Sequence, residues 1–190
     1  MNRIEKLKEY VWLLEKWNLK MNLISYNNIR ELIIDNIVDS LSVYEVYHFN
    51  KHDIVADVGT GPGIPGVVLS ILNPDVYFYL IDPRKKYFMF LKTVKRVLGL
   101  NNVVILNKRI ENIDKKFTVI LNRAVADINT IIKLCNNVSD MDSLIFSYKG
   151  PLFFSEFPLK NNRYKINIIK KIKILEIYNK RLYIIGLKRY

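Results

Sequence analysis

Two acids at the ends of apolar runs, with glycines between them, hold most of the chemistry this chain can do. Ile54-Val55-Ala56-Asp57-Val58-Gly59-Thr60-Gly61-Pro62-Gly63-Ile64-Pro65-Gly66 passes from a short apolar stretch to an acid, then to alternate glycines, then to a proline. A run of that length suits a buried strand. Gly59, Gly61 and Gly63 let the backbone turn sharply and let a ligand approach with no side chain between. Pro65 suits the first position of a helix, where its fixed φ fits and its missing N–H would be unpaired anyway. A glycine loop leading from a central strand into a helix is where open α/β sheets bind nucleotide-like ligands.

Charge narrows the ligand. Gly61-x-Gly63-x-x-Gly66 fits the dinucleotide pattern G-x-G-x-x-G, which is weak by itself. The longer pattern is Asp-x-Gly-x-Gly-x-Gly, with Asp57 just before Gly59. A carboxylate there repels a pyrophosphate and attracts a ligand that carries an ammonium and a sulfonium. S-adenosylmethionine (SAM) carries both. Asp82 ends the next apolar run, Val76-Tyr77-Phe78-Tyr79-Leu80-Ile81. An acid there accepts both hydroxyls of a ribose, which dinucleotide and SAM sites share. SAM is therefore the preferred cofactor and a dinucleotide the alternative. A glycine turn with no ligand would leave both acids idle.

The elements that position these residues follow from periodicity. Ile4, Leu7, Val11 and Leu14 form a helical stripe that Trp17 and Met21 extend. A second helix is expected over 29–44, with Asn36, Asp39 and Ser40 on one face. Those three either line a site or cap a buried junction. Polar residues 48–53 close this part. The chain is expected to be one methyltransferase-like domain, with 1–50 a helical extension and 51–190 the cofactor-binding core. In that core, helices are expected over 64–72, 85–98 and 128–138. The second carries Phe88, Leu91, Val94 and Leu98 inward and ends at Gly99. Strands are expected over 76–81, 103–106, 117–121 and 144–147. Two alternating runs, 164–177 and 181–187, form a terminal hairpin about Asn179-Lys180. Alternating strand and helix gives an α/β fold of the SAM-dependent methyltransferase (Rossmann-like) kind, with a mostly parallel sheet and a terminal antiparallel hairpin.

Composition bounds the partners. The net charge is +12 over 190 residues, which points to a polyanion. Lysine (21), isoleucine (26) and asparagine (20) all have AT-rich codons, so genome bias supplies part of the excess. A single cysteine, Cys135, excludes an internal disulfide and reads as a core residue. No stretch approaches the roughly 18 apolar residues of a membrane span. The N-terminus lacks a signal-peptide core, so a cytoplasmic location is expected.

Other chemistries lack their residues. There is no Cys-x-x-Cys pair, and the one His-x-x-x-His spacing, His48 with His52, falls in an expected loop rather than on a helix face, so no metal site is expected. There is no Gly-x-Ser-x-Gly elbow. Methyl transfer needs neither, only donor and acceptor held in line. The turn after the fourth strand reads Asn122-Arg123-Ala124-Val125 rather than the Asn/Asp-Pro-Pro-aromatic of exocyclic-amine methylation. Cys135 has no proline beside it for pyrimidine-carbon chemistry. What remains is an acceptor that is nucleophilic as it stands, such as guanine N7, which needs no catalytic base. Arg123 is read as holding the cofactor or a phosphate, with a structural ion pair as the alternative.

With these residues placed, the chain resembles the RsmG (GidB) family, SAM-dependent methyltransferases acting on guanine N7 in small-subunit ribosomal RNA. The resemblance is strongest over Asp57–Gly66. It is supported by Asn22-Leu23-Ile24-Ser25, Asp39-Ser40-Leu41, Asp82 with Lys85-Lys86, Arg109-Ile110-Glu111, Asn122-Arg123-Ala124-Val125-Ala126 and Lys149-Gly150. It implies cofactor contacts at Gly59, Ile64, Ile110, Glu111 and Arg123. It also implies 16S ribosomal RNA or the small subunit as partner, and S-adenosylhomocysteine as product. Two positions depart from the family pattern. Asn36 stands where members usually have histidine, and Pro83 follows Asp82 where serine is usual. The alternatives are a methyltransferase of another RNA or of a protein, a dinucleotide-dependent oxidoreductase, and a non-catalytic RNA-binding module.

Overall fold

The first helix, α1 (Arg3–Met21), starts where Asn2 and Glu5 each accept the other's backbone N–H. The structure, a computed structural model, describes residues 1–150, 155, 164–174 and 180–189. The buried face of α1 is Tyr10, Leu13 and Leu14, so the expected stripe is rotated. Ile4 is exposed, and Leu7 and Val11 are only partly covered. Aromatic contact sets the rotation. Trp17 meets the Phe90 ring edge-on at 5.6 Å, and Tyr10 lies 6.4 Å from the same ring.

The expected second helix is a continuous helical path that changes its winding. It runs through α2 (Ile29–Leu32), a π-helical segment (Ile33–Val38), α3 (Asp39–Leu41) and a 3-10 turn (Ser42–Glu45). Polar side chains bond back to this backbone. Asn36 Nδ2 donates to Leu32 O, and the Ser40 hydroxyl donates to Asn36 O. Such local bonds compete with the regular helix ladder.

The core then alternates as β1 (Ile54–Val58), α4 (Gly66–Leu72), β2 (Tyr77–Ile81), α5 (Lys85–Leu98), β3 (Val103–Leu106), β4 (Phe117–Arg123), α6 (Ile128–Cys135), β5 (Ser139–Lys149), β6 (Tyr164–Ile174) and β7 (Lys180–Arg189). The seven strands order as β3-β2-β1-β4-β5-β7-β6. The first five are parallel, and β7 inserts antiparallel between β5 and β6. Side chains alternate across the sheet. Val55, Phe78, Leu80, Val119, Leu121 and Phe146 join the core with α1, α4 and α5. Ala56, Val58, Ile81, Ile120 and Ile145 join the core with α6, where Cys135 is fully buried and its thiol is pushed up to about 12 by burial.

Several expected boundaries move. Pro65 is the capping residue before α4, so Gly66 supplies the first helical N–H. The inward face of α5 uses Tyr87 and Phe90 beside Leu91, Val94 and Leu98, and Phe88 is only half-buried. The helix α6 stops at Cys135, because Val138 must turn back into the core to begin β5. β5 is longer than expected and shifts register opposite Phe117 and Val119. Lys180 opens β7, and Asn179 and the rest of the expected hairpin turn lie outside the described residues.

One bond ties the helical extension to the glycine loop. The buried Tyr10 hydroxyl donates to Pro62 O at 2.9 Å. Tyr10→Phe should destabilise the protein by about 0.5–1.5 kcal/mol, the usual net worth of such a bond. Urea denaturation measures it, and an unchanged midpoint would mean that the extension does not hold the loop through this hydroxyl.

Candidate functional site

The glycine loop leaves the C-terminal end of β1 and folds over its own acid. Asp57 is fully buried, and its Oδ2 accepts from the Thr60 hydroxyl at 2.6 Å and from the Gly66 N–H at 2.8 Å. Burial pushes its carboxyl up to about 6, against the lowering by Thr60, Gly66 and the charge of Arg123. Its Oδ1 has no hydrogen-bond partner among the described residues. Asp57 was expected to attract a cationic ligand. It lies beneath the loop, where the loop's own donors draw its Oδ2 inward. Gly66 is required there, since a Cβ would sit 2.6 Å from Asp57 Oδ2 and 2.3 Å from Leu80.

The loop's N–H groups are all in use. Gly59 and Thr60 donate to Ile81 O, Gly61 to Asp82 Oδ2, Gly63 and Ile64 to Thr60 O, Gly66 to Asp57, and Val67 to Gly63 O. Pro62 and Pro65 have none to give. A phosphate nest needs free N–H groups, so this loop is poorly built for a dinucleotide. It suits a ligand that needs close approach and a negative environment. Gly61 has φ +55, and a Cβ on it would meet nothing closer than 3.9 Å, so that face of the loop is open. The open space above it, the undonated Asp57 Oδ1 and the shortage of loop donors all fit a cationic adenosine cofactor such as SAM.

Ile24, Asn36, Gly59, Thr60, Gly61, Pro62, Ile64, Arg84, Tyr87, Arg123 and Ala124 line a cleft of about 170 Å³. Of the expected residues, Gly59, Gly61, Ile64 and Arg123 are brought together there. Gly63 packs against Val67 and Leu91 behind the loop. Asp82 sits at the end of β2, 3% exposed. Asn107 Nδ2 donates to its carbonyl and ties the turn after β3 to it. Ile110 and Glu111 are in that turn but not in the cleft. Ile110 is buried in the core under α6, and Glu111 is exposed. Sequence reading missed Arg84, Tyr87 and Ile24. The one available signal was the basic residue after Asp82-Pro83.

Arg123 joins the two parts of the chain. Its guanidinium donates to Asn36 Oδ1 at 2.8 Å and pairs with Asp39 Oδ2 at 3.4 Å. Ser40 O accepts from the Tyr148 hydroxyl at 2.9 Å. The polar trio Asn36, Asp39 and Ser40 therefore builds a junction whose outer member, Asn36, also lines the cleft. Ala124 follows in the left-handed region at φ 53, which costs a residue with a Cβ about 1–2 kcal/mol. Strain of this kind gathers at sites where the surrounding structure fixes the chain. His48 and His52 are exposed and away from the cleft. Among the described residues no group of His, Cys, Asp and Glu could hold a metal ion, and no helix is long and apolar enough to cross a membrane.

Comparison with known proteins gives a consistent picture. A family model described as GidB, rRNA small subunit methyltransferase G, matches residues 3–184. The chain is 42% identical over 149 residues to "Ribosomal RNA small subunit methyltransferase G" of Francisella philomiragia subsp. philomiragia, covering 78% of this chain and 72% of that protein. The protein of the same name from Francisella tularensis subsp. holarctica is 38% identical over 170 residues, covering 87% and 82%. Among solved structures, a SAM-dependent methyltransferase from Aquifex aeolicus matches with a TM-score of 0.61 at 16% identity, over 80% of this chain and 90% of that one. That last likeness is one of fold.

The Arg123 junction makes a specific energetic prediction. Arg123→Met should destabilise the protein by about 2–4 kcal/mol, because it removes the guanidinium that pairs with the buried Asp39 carboxylate. Adding Asp39→Asn should recover part of that loss by removing the buried charge that Arg123 balances. Chemical denaturation of the single and double variants decides it. A double variant less stable than Arg123→Met would show that the pair is not the link.

Proposed function

The chain belongs to the GidB family, rRNA small subunit methyltransferase G, and from that premise we propose that it moves a methyl group from SAM to N7 of a guanine in 16S ribosomal RNA. The observation that carries the cofactor reading is the loop whose donors are all spent and whose buried acid keeps an oxygen without a donor. SAM supplies a methyl carbon on a sulfonium, an electrophile that needs no activation, and leaves as S-adenosylhomocysteine. Asp82 is the acceptor for the ribose hydroxyls. Gly59, Gly61, Gly63 and Ile64 shape the surface the cofactor lies against. Asp57 fixes that surface and supplies negative potential beneath it. Glu111, exposed in the turn after β3, bounds the adenine side, and the buried Ile110 anchors that turn on the core beside it. Arg123 closes the cleft from the β4 end.

The acceptor reading rests on what the cleft lacks as well as on the family. Guanine N7 has a free lone pair and no proton to remove, so no general base is required. Neither histidine reaches the cleft, and Asn36 cannot titrate. The RNA partner is supported by the net charge of +12. A groove of about 320 Å³ between α1 and α5, lined by Trp17, Met89, Lys92, Thr93 and Arg96, offers cations beside an aromatic. We read the chain as one working unit in the cytoplasm, with 1–50 completing the cleft of 51–190.

The test is transfer of label. Protein incubated with methyl-labelled SAM and small-subunit ribosomal RNA should place the label on guanine N7 at one position. Asp82→Ala should weaken SAM binding by removing two charge-assisted bonds, each worth on the order of 1.5–3 kcal/mol before water and the loss of the competing Arg84–Asp82 pair offset part of it. Label at another atom, or no label on RNA, would overturn the acceptor assignment. Unchanged SAM affinity in Asp82→Ala would overturn the ribose assignment.

A further inference from the structure

Asp82 is already saturated. An ionised carboxylate offers about four lone-pair sites. Its Oδ1 accepts from the Arg84 backbone N–H at 2.9 Å and from Arg84 Nε at 3.0 Å. Its Oδ2 accepts from the Gly61 N–H at 3.1 Å and from the Arg84 terminal nitrogen at 2.8 Å. That makes four donors on four sites. Two are backbone groups held by the turn after β2 and by the glycine loop. The other two belong to one guanidinium.

That guanidinium is the movable partner. The Arg84 side chain is 58% exposed, whereas that of Asp82 is 2% exposed. Its far side rests on the Tyr87 ring at 4.4 Å, and Tyr87 is itself held by its hydroxyl on Leu23 O at 3.1 Å. Both Arg84 and Tyr87 line the cleft beside Gly61. The guanidinium thus stands where the two hydroxyls of a ribose would bond, and it offers two donors just as they do.

We propose that Arg84 is a latch on the ribose pocket, which the cofactor's two hydroxyls must displace from Asp82. This rests on the reading of Asp82 as the ribose acceptor. Two donors leave and two enter, so the carboxylate is satisfied in both states. The ion pair competes with the cofactor and lowers its affinity. The latch also sets a specificity. A ligand with a single hydroxyl cannot replace both of the guanidinium's bonds, so it is held back more than a full ribose is.

Calorimetric titration with S-adenosylhomocysteine and with its 2′,3′-dideoxy analogue tests the latch. Arg84→Ala should bind S-adenosylhomocysteine about threefold to tenfold more tightly than the native protein, the worth of a half-exposed bidentate pair. The analogue, which has no hydroxyls to exchange, should bind both proteins alike. Arg84→Gln keeps the stem and loses the charge, and it should show the same gain should the alanine variant fold poorly. Unchanged or weaker binding of S-adenosylhomocysteine by a folded Arg84 variant would overturn the latch and leave the cofactor reading standing. Failure of the native protein to bind SAM or S-adenosylhomocysteine would overturn the cofactor reading, and the latch with it.

Discussion

A single buried carboxylate fixes the geometry of this molecule's working end. Asp57 points from β1 into the space under the glycine loop and takes the Thr60 hydroxyl and the Gly66 N–H onto one oxygen. Those two bonds set where the loop turns and where α4 begins. Burying the acid opposes its ionisation, so its carboxyl is raised to about 6 even with two donors and the charge of Arg123 near it. The loop's remaining donors are then spent on Ile81, Asp82 and its own carbonyls. A closely approachable surface with negative charge below it is what this leaves, and that is chemistry for a cation rather than for a phosphate.

The extension completes the cleft rather than decorating it. Tyr10 reaches Pro62 in the loop, Tyr87 reaches Leu23, and Lys86 donates to Asn22 O at 2.6 Å. Arg123 then bridges from the end of β4 to Asn36 and Asp39. Each contact ends on a residue that lines the cleft or neighbours one that does. Movement of the extension would therefore be felt at the loop.

The parts legible in the sequence are those in which local spacing and structure coincide. The loop could be read because glycines at alternate positions have few other uses. The bounds of α5 could be read because Gly99 takes the left-handed cap at φ 60. Its inward face was read correctly at Leu91, Val94 and Leu98 but not at its start, where Tyr87 and Phe90 are buried and Phe88 is not, because periodicity alone does not rank aromatics. The start of β5 was hidden because Ser139-Asp140-Met141-Asp142 reads as a polar turn. The π-helical winding around Asn36 was invisible because it depends on side chains bonding to their own backbone. Asp57 was legible as an acid at the right place, but not as one turned under the loop. Arg84 was missed because its role depends on how it folds back on Asp82, which a basic residue after Asp82-Pro83 does not by itself specify.

The titration of Asp57 tests this account most directly. Its folded value of about 6 lies above the ordinary carboxylate value of about 4. A raised acid contributes stability below its unfolded pKa, and that contribution is lost as pH rises through about 6. Carbon-13 NMR of the Asp57 carboxyl in the free protein should give a midpoint near 6. A cation held above the loop favours the ionised form, so saturating SAM should move the midpoint down. A midpoint at the ordinary carboxylate value in the free protein, or one that SAM leaves in place, would contradict the account.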